Sequence, residues 1–135
     1  MRKREYADLG VTARWLDAIK ARHAFDHALR YSAETRYGLN EEKVTHIEKL
    51  HMTSIPVSVA WVRERMPDTG TVQIVYGRSE VCIVDSKDFL IHWINLFSPC
   101  RDDVIVLHNL SNKVLFYCHE DEIEVGCRSD GKGCI

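Results

Sequence analysis

Residues 71–126 read TVQIVYGRSEVCIVDSKDFLIHWINLFSPCRDDVIVLHNLSNKVLFYCHEDEIEVG, and this stretch decides the fold. Residues 71–76 and 80–84 are rich in valine and isoleucine and flank Gly77-Arg78-Ser79. Such runs fit a pleated, half-buried surface, and the short polar break suits a hairpin loop with Gly77 at positive φ. In residues 86–97, Phe89, Leu90, Trp93, Ile94 and Phe97 recur at helical spacing and make a wide apolar face. Ser86 stands where an N-cap belongs, Asp85 and Asp88 favour the helix's positive end, and Ser98-Pro99 stops it. Residues 104–107 are a continuous apolar run, the pattern of a central strand. After a turn at 109–112, residues 114–119 and 122–125 pair across Glu120-Asp121.

Outward from this stretch the chain reads as helical. In residues 12–31, Trp15, Ala18, Ile19, Phe25 and Leu29 fall on one stripe, Thr12 is placed to cap, and Gly38 follows as a left-handed stop. Asn40 then caps a second helix with Glu41 and Glu42 in its first turn and Val44, Ile47 and Leu50 as a narrow apolar stripe. Residues 54–66 carry two patterns. Ile55, Val57, Val59 and Trp61 alternate like a strand, while Ser54 before Pro56, with Val59, Val62 and Met66, reads as a helix. The helix is favoured, because it gives the sheet a fuller cover.

Helices first and strands later are the mark of an α+β fold. The expectation is two or three N-terminal helices packed on one face of a four- to five-stranded sheet, mostly antiparallel or mixed. The helix at about 86–97 is inserted between strands two and three, as a parallel crossover would require. A chain of 135 residues fits one domain, here 1–126, and residues 127–135, polar with Gly131 and Gly133, read as a flexible tail.

Composition excludes more than it assigns. The chain is 45% hydrophobic and 28% charged, with no apolar run near the roughly 18 residues of a membrane span. The basic N-terminus lacks the apolar core of a signal peptide, so the reading is cytoplasmic and the five cysteines are expected as thiols. Cys82, Cys100 and Cys118 sit in or beside apolar runs, whereas Cys127 and Cys134 belong to the polar tail and could cross-link under oxidation. Net charge is −2, but residues 1–66 hold 12 basic against 9 acidic residues and residues 67–135 hold 6 against 11. The basic half is too diluted by acids for a nucleic-acid footprint.

Two motifs invite chemistry. His23 and His27 share a helix face, but no third ligand stands at sensible spacing near them or near Cys127 and Cys134. No metal or other cofactor is therefore expected. Cys118-His119 suggests a nucleophile and its base, yet neighbours on a strand face opposite ways, so Cys118 would need His92 or His108 instead. No catalytic residue is assigned.

The acidic hairpin is the candidate binding surface: His119, Glu120, Asp121, Glu122 and Glu124, with Asp102 and Asp103 before the neighbouring strand. Exposed carboxylates there discourage edge pairing and steer a basic partner. The leading expectation is a non-enzymatic module that binds another protein, preferentially a basic one, and neither nucleic acid nor membrane. In size, element order and acidity the layout resembles small bacterial accessory domains, including toxin-neutralising immunity proteins, with no shared motif. The alternatives are a small pocket-bearing enzyme or ligand-binding protein, with His119, Glu122 or Cys118 near the pocket, and a homodimer formed through the sheet edge.

Overall fold

The valine- and isoleucine-rich runs become the middle of a single sheet, seen in a computed structural model that describes residues 2–129. Along the chain the elements are α1 (Arg2–Asp8), β1 (Ala13–Trp15), α2 (Ala18–Leu29), β2 (Val44–His51), α3 (Ile55–Arg65) and β3 (Thr71–Gly77). They continue with β4 (Glu80–Asp85), α4 (Ser86–Leu96), β5 (Val104–His108), β6 (Lys113–Cys118) and β7 (Glu122–Arg128). The α+β class holds, but the sheet has seven strands, ordered β1-β4-β3-β5-β6-β7-β2. All six neighbouring pairs are antiparallel. β4 and β5 flank β3 on either side and are both antiparallel to it, so they run parallel to each other. The α4 connection is thus a crossover that skips over β3, and it leaves the sheet unmixed.

Helices cover both faces, which corrects the one-sided expectation. Ile74, Val106 and Leu115 join one buried cluster with α4 residues Phe89, Leu90, Trp93 and Leu96, α3 residue Val62 and α1 residue Tyr6. Their neighbours Val75, Ile105 and Phe116 join a second cluster with Ala21, Ala24 and Ala28 of α2. Alternate side chains of one strand therefore feed two cores. This explains why every residue of β5 is buried although its pairing is antiparallel. At α4, Asp85 holds the cap position without a side-chain bond, and the Ser86 hydroxyl instead donates to the Pro67 carbonyl. Pro56 in the first turn and the Ser54 cap make α3 the helix favoured for residues 54–66.

The N-terminal half departs most from expectation. The helix expected over 12–31 starts only at Ala18, where the Asp17 carboxylate accepts the Lys20 N–H at 2.9 Å. Residues 13–15 are instead an edge strand on β4. The helix phase is also turned. Ile19 and Leu29 of the expected stripe are 67% and 46% exposed and Ala18 is exposed too, while Ala21, Ala24 and Ala28 are buried. A face of methyl groups lets α2 lie close on the sheet, so the residues read as helix formers make the contact.

Residues 44–51 are a strand and not a second helix. Between Thr45 and Glu48 the register with β7 slips by one residue, with His46 at φ 54. That bulge puts Val44 and Ile47, three apart, on the same face, which imitates helical spacing. Gly126 permits the crossing, since a Cβ there would stand 2.5 Å from Val44 Cγ1 and 2.9 Å from the Thr45 carbonyl. Gly77 has no positive φ; among the described residues the glycines that do are Gly10 and Gly70.

The expected domain limit at Gly126 falls inside β7. Cys127 is buried, disulfide-bonded and paired in the sheet with Lys113 and Thr45, so it belongs to the sheet and not to a tail, and the expectation of five thiols fails at this position. Residues 130–135, Cys134 included, lie outside the described residues. Among the described residues no helix is long and apolar enough to cross a membrane.

Candidate functional site

The β6–β7 hairpin closes through a three-residue loop, since Cys118 pairs directly with Glu122. Asp121 takes φ 63, a conformation that aspartate tolerates better than most residues, and its N–H returns to the Cys118 carbonyl at 2.9 Å. The Tyr117 hydroxyl donates to the Asp121 carboxylate at 3.2 Å. Asp103 precedes β5, whose Val104 pairs with Tyr117, so it lies beside this loop. Its Oδ1 meets both the His119 backbone N–H and His119 Nδ1 at 2.9 Å. The hydrogen bond to Asp103 holds the His119 pKa above its ordinary value.

Cys118 and His119 do approach each other, against the alternation argument. His119 lies beyond the last residue of β6, where strand alternation no longer governs it. One donor atom each of Asp103, Cys118 and His119 fall within 4.8 Å of one another. Cys118 is buried, its sulfur accepts the Glu120 N–H at 3.3 Å, and burial pushes the thiol pKa up. His108 is committed elsewhere, to Ser111 Oγ at 2.8 Å and the Thr69 carbonyl at 2.7 Å.

Beside this loop runs a strap, residues 32–39, that follows α2. Ser32 and Leu39 form an isolated bridge and Ala33 N–H bonds the Gly38 carbonyl at 2.8 Å. Its anchor is Glu124 of β7. That carboxylate accepts Arg36 Nη1 at 2.6 Å, Arg36 Nη2 at 3.3 Å and the buried Leu39 N–H at 2.8 Å. Gly38 makes room, since a Cβ there would sit 2.8 Å from Glu124 Oε2. The strap and the end of α2 enclose a cleft of about 520 Å³. Phe25, Val75, Ile105 and Phe116 line it from α2 and the sheet, and Leu29, Glu34, Tyr37 and Asp103 also border it. The Tyr37 ring meets the His119 ring edge-on, with centroids 4.6 Å apart, which joins strap to loop.

The seven residues expected to form one acidic surface separate into distinct groups. Asp102 is buried and binds Arg2 at 3.2 Å, Arg101 at 3.1 Å and the Ser98 N–H at 2.8 Å. Burial alone would raise its pKa, but bonds from Arg101, Ser98 and Arg2 outweigh that and hold it below the ordinary value. It ties α1 to the loop after α4. Glu124 is buried too and serves the strap. Glu122 faces β2, where His51 at 3.1 Å and Lys49 at 3.2 Å neutralise it and keep its pKa low, His51 most of all. Asp103, Glu120 and Asp121 remain around His119, and Glu120 is exposed. His23 and His27 lie on the exposed side of α2.

Sequence reasoning missed Arg36, Tyr37 and the strap, because 32–39 has no periodicity and its partner is 88 residues away in the chain. Comparison with known proteins adds no relative: no family model, no curated protein and no solved structure matches the chain.

Proposed function

We propose that the protein is a non-enzymatic binding module for another protein, and that the partner presents a basic surface to the strap and the 119–121 loop. The observation that carries this reading is a combination of side chains on one open face. Tyr37 and Leu29, 55% and 46% exposed, stand beside the carboxylates of Glu34 and Asp103 at the cleft. Glu120 follows directly after His119, which Tyr37 touches. A few anchors, tyrosine prominent among them, supply most of the energy of a protein interface, and surrounding charge sets encounter rate and choice of partner. Asp102, Glu122 and Glu124 play no part, since cations of the same chain already hold them. An inhibitor of a basic toxin or enzyme is the kind of role that such a face fits.

The test uses the wild-type chain and a Tyr37→Ala, Glu34→Lys, Glu120→Lys variant as baits in lysate of the native host. A protein enriched on wild type, lost with the variant and confirmed by direct binding of the two purified proteins supports the reading. Equal capture by both baits contradicts it. A second reading, a small-molecule site, is favoured by the cleft itself, whose volume falls in the range of ligand pockets. Retention of a small molecule, seen by native mass spectrometry and lost with Phe116→Trp, would favour that second reading.

A further inference from the structure

We infer that Asp103, Cys118 and His119 form a site for a thiophilic divalent cation, with zinc as its natural occupant. The inference goes beyond the partner-binding reading and does not depend on it. Three donors of different kinds converge from three backbone positions: a carboxylate before β5, a thiol at the end of β6 and an imidazole in the following turn. Their donor atoms lie within 4.8 Å of one another with no ion present. Tetrahedral zinc, with bonds of 2.0–2.3 Å, holds neighbouring ligand atoms roughly 3.3–3.6 Å apart, so closing the site takes about an ångström of movement. Asp103 and His119, with side chains 40% and 32% exposed, can supply that movement by rotamer change. Cys118 is buried and fixed, and would serve as the anchor.

The donor set selects the metal. Thiolate and imidazole favour zinc and its late-transition neighbours, while magnesium and calcium require oxygen ligands. On binding, the Cys118 S–H bond breaks and its proton passes to solvent, as does the second proton of a charged His119 imidazole, and electron pairs of the sulfur and of a proton-free ring nitrogen form the metal bonds. Thiolate and carboxylate together balance the charge of a divalent ion. Three protein ligands leave a fourth position for water or for Glu120, which forms a second group with Cys118 and Glu122 within the same 4.8 Å limit. Both groups share one sulfur, so one ion per chain is expected. The sequence hid this site because its ligands, at positions 103, 118 and 119, do not show the spaced pairs of zinc ribbons or fingers.

Cobalt(II) titration of chelator-treated, reduced full-length protein tests the inference. Wild type should take up one equivalent with the charge-transfer absorption of a cobalt–thiolate bond, and zinc should displace it. Cys118→Ser should abolish that absorption. His119→Gln and Asp103→Asn should each weaken binding by more than the roughly 10–100-fold typical of losing an outer-shell partner. If Cys118→Ser fails to fold, the latter two decide, because their side chains are partly exposed. No stoichiometric uptake by wild type, or uptake that survives both His119→Gln and Asp103→Asn, would overturn the inference, the latter by placing the ion elsewhere.

Discussion

Replacing Glu124 with alanine should release the strap while leaving the sheet in place. The carboxylate makes three hydrogen bonds across the α2 face, two from Arg36 and one from the Leu39 N–H. These losses differ in weight. Leu39 is fully buried, so its orphaned N–H should cost about 1–3 kcal/mol. Arg36 is 38% exposed along its side chain and can turn to water, so its share is that of a partly screened pair, about 1 kcal/mol or less. The total is roughly 1–4 kcal/mol, outside the ±0.5 kcal/mol of an ordinary surface change. Urea unfolding measures it, and amide exchange locates it. Protection should fall at residues 31–44 and persist in β5 and β6. Glu124→Gln keeps an acceptor for Leu39 and should lose less. A Glu124→Ala variant as stable as wild type, with an equally protected strap, would show that Glu124 is the surface acid the sequence suggested.

Other expectations are independent of the strap. Trp93 is 1% exposed in the α4 core, so Trp93→Ala should cost about 3–5 kcal/mol in denaturant unfolding; a near-neutral result would mean the α4 packing is wrong. The lowered Asp102 pKa means that this carboxylate stabilises the fold above its unfolded value, near 3.9, and that the contribution fades as pH falls through the lower folded value. Urea midpoints from pH 7 to pH 3 should therefore drop more steeply for wild type than for Asp102→Asn, and parallel curves would refute the assignment. Burial pushes the Cys82 thiol to about 12, whereas Cys100 is exposed, so alkylation of native protein at pH 8 should modify Cys100 well before Cys82. Peptide mapping that finds Cys82 labelled first would contradict the described burial.

The sequence shows most where local pattern and tertiary environment agree. β3, β4, α4, β5 and the β6–β7 hairpin announce themselves through dense β-branched runs or a wide apolar stripe. The reading fails where non-local structure overrides period. Val44 and Ile47 imitate a helix because a bulge opposite Gly126 shifts the phase of β2. Ile19 and Leu29 suggest one face of α2, yet the alanine face wins, because close approach to the sheet rewards small side chains. Two-sided cover of an antiparallel sheet was legible only in part, through the unbroken apolar run of β5. The acidic cluster was visible as composition, but composition cannot show that Arg2, Arg36 and Lys49 return from distant segments to neutralise Asp102, Glu124 and Glu122. Nor could spacing show that Asp103 reaches His119 beside Cys118.

The central claim is that the strap and the 119–121 loop form one binding face for a basic protein. Association kinetics of the captured partner at two salt concentrations test it most directly, comparing wild type, Glu34→Lys with Glu120→Lys, and Tyr37→Ala. Both glutamates are exposed, so their reversal should leave stability unchanged. The account predicts slower association for the double reversal, and for wild type at higher salt, because charges more than about 8 Å apart are screened at physiological ionic strength. It also predicts faster dissociation for Tyr37→Ala, with a loss of about 2 kcal/mol or more if the ring is an interface anchor. Rates indifferent to salt, to charge reversal and to loss of the Tyr37 ring would contradict it.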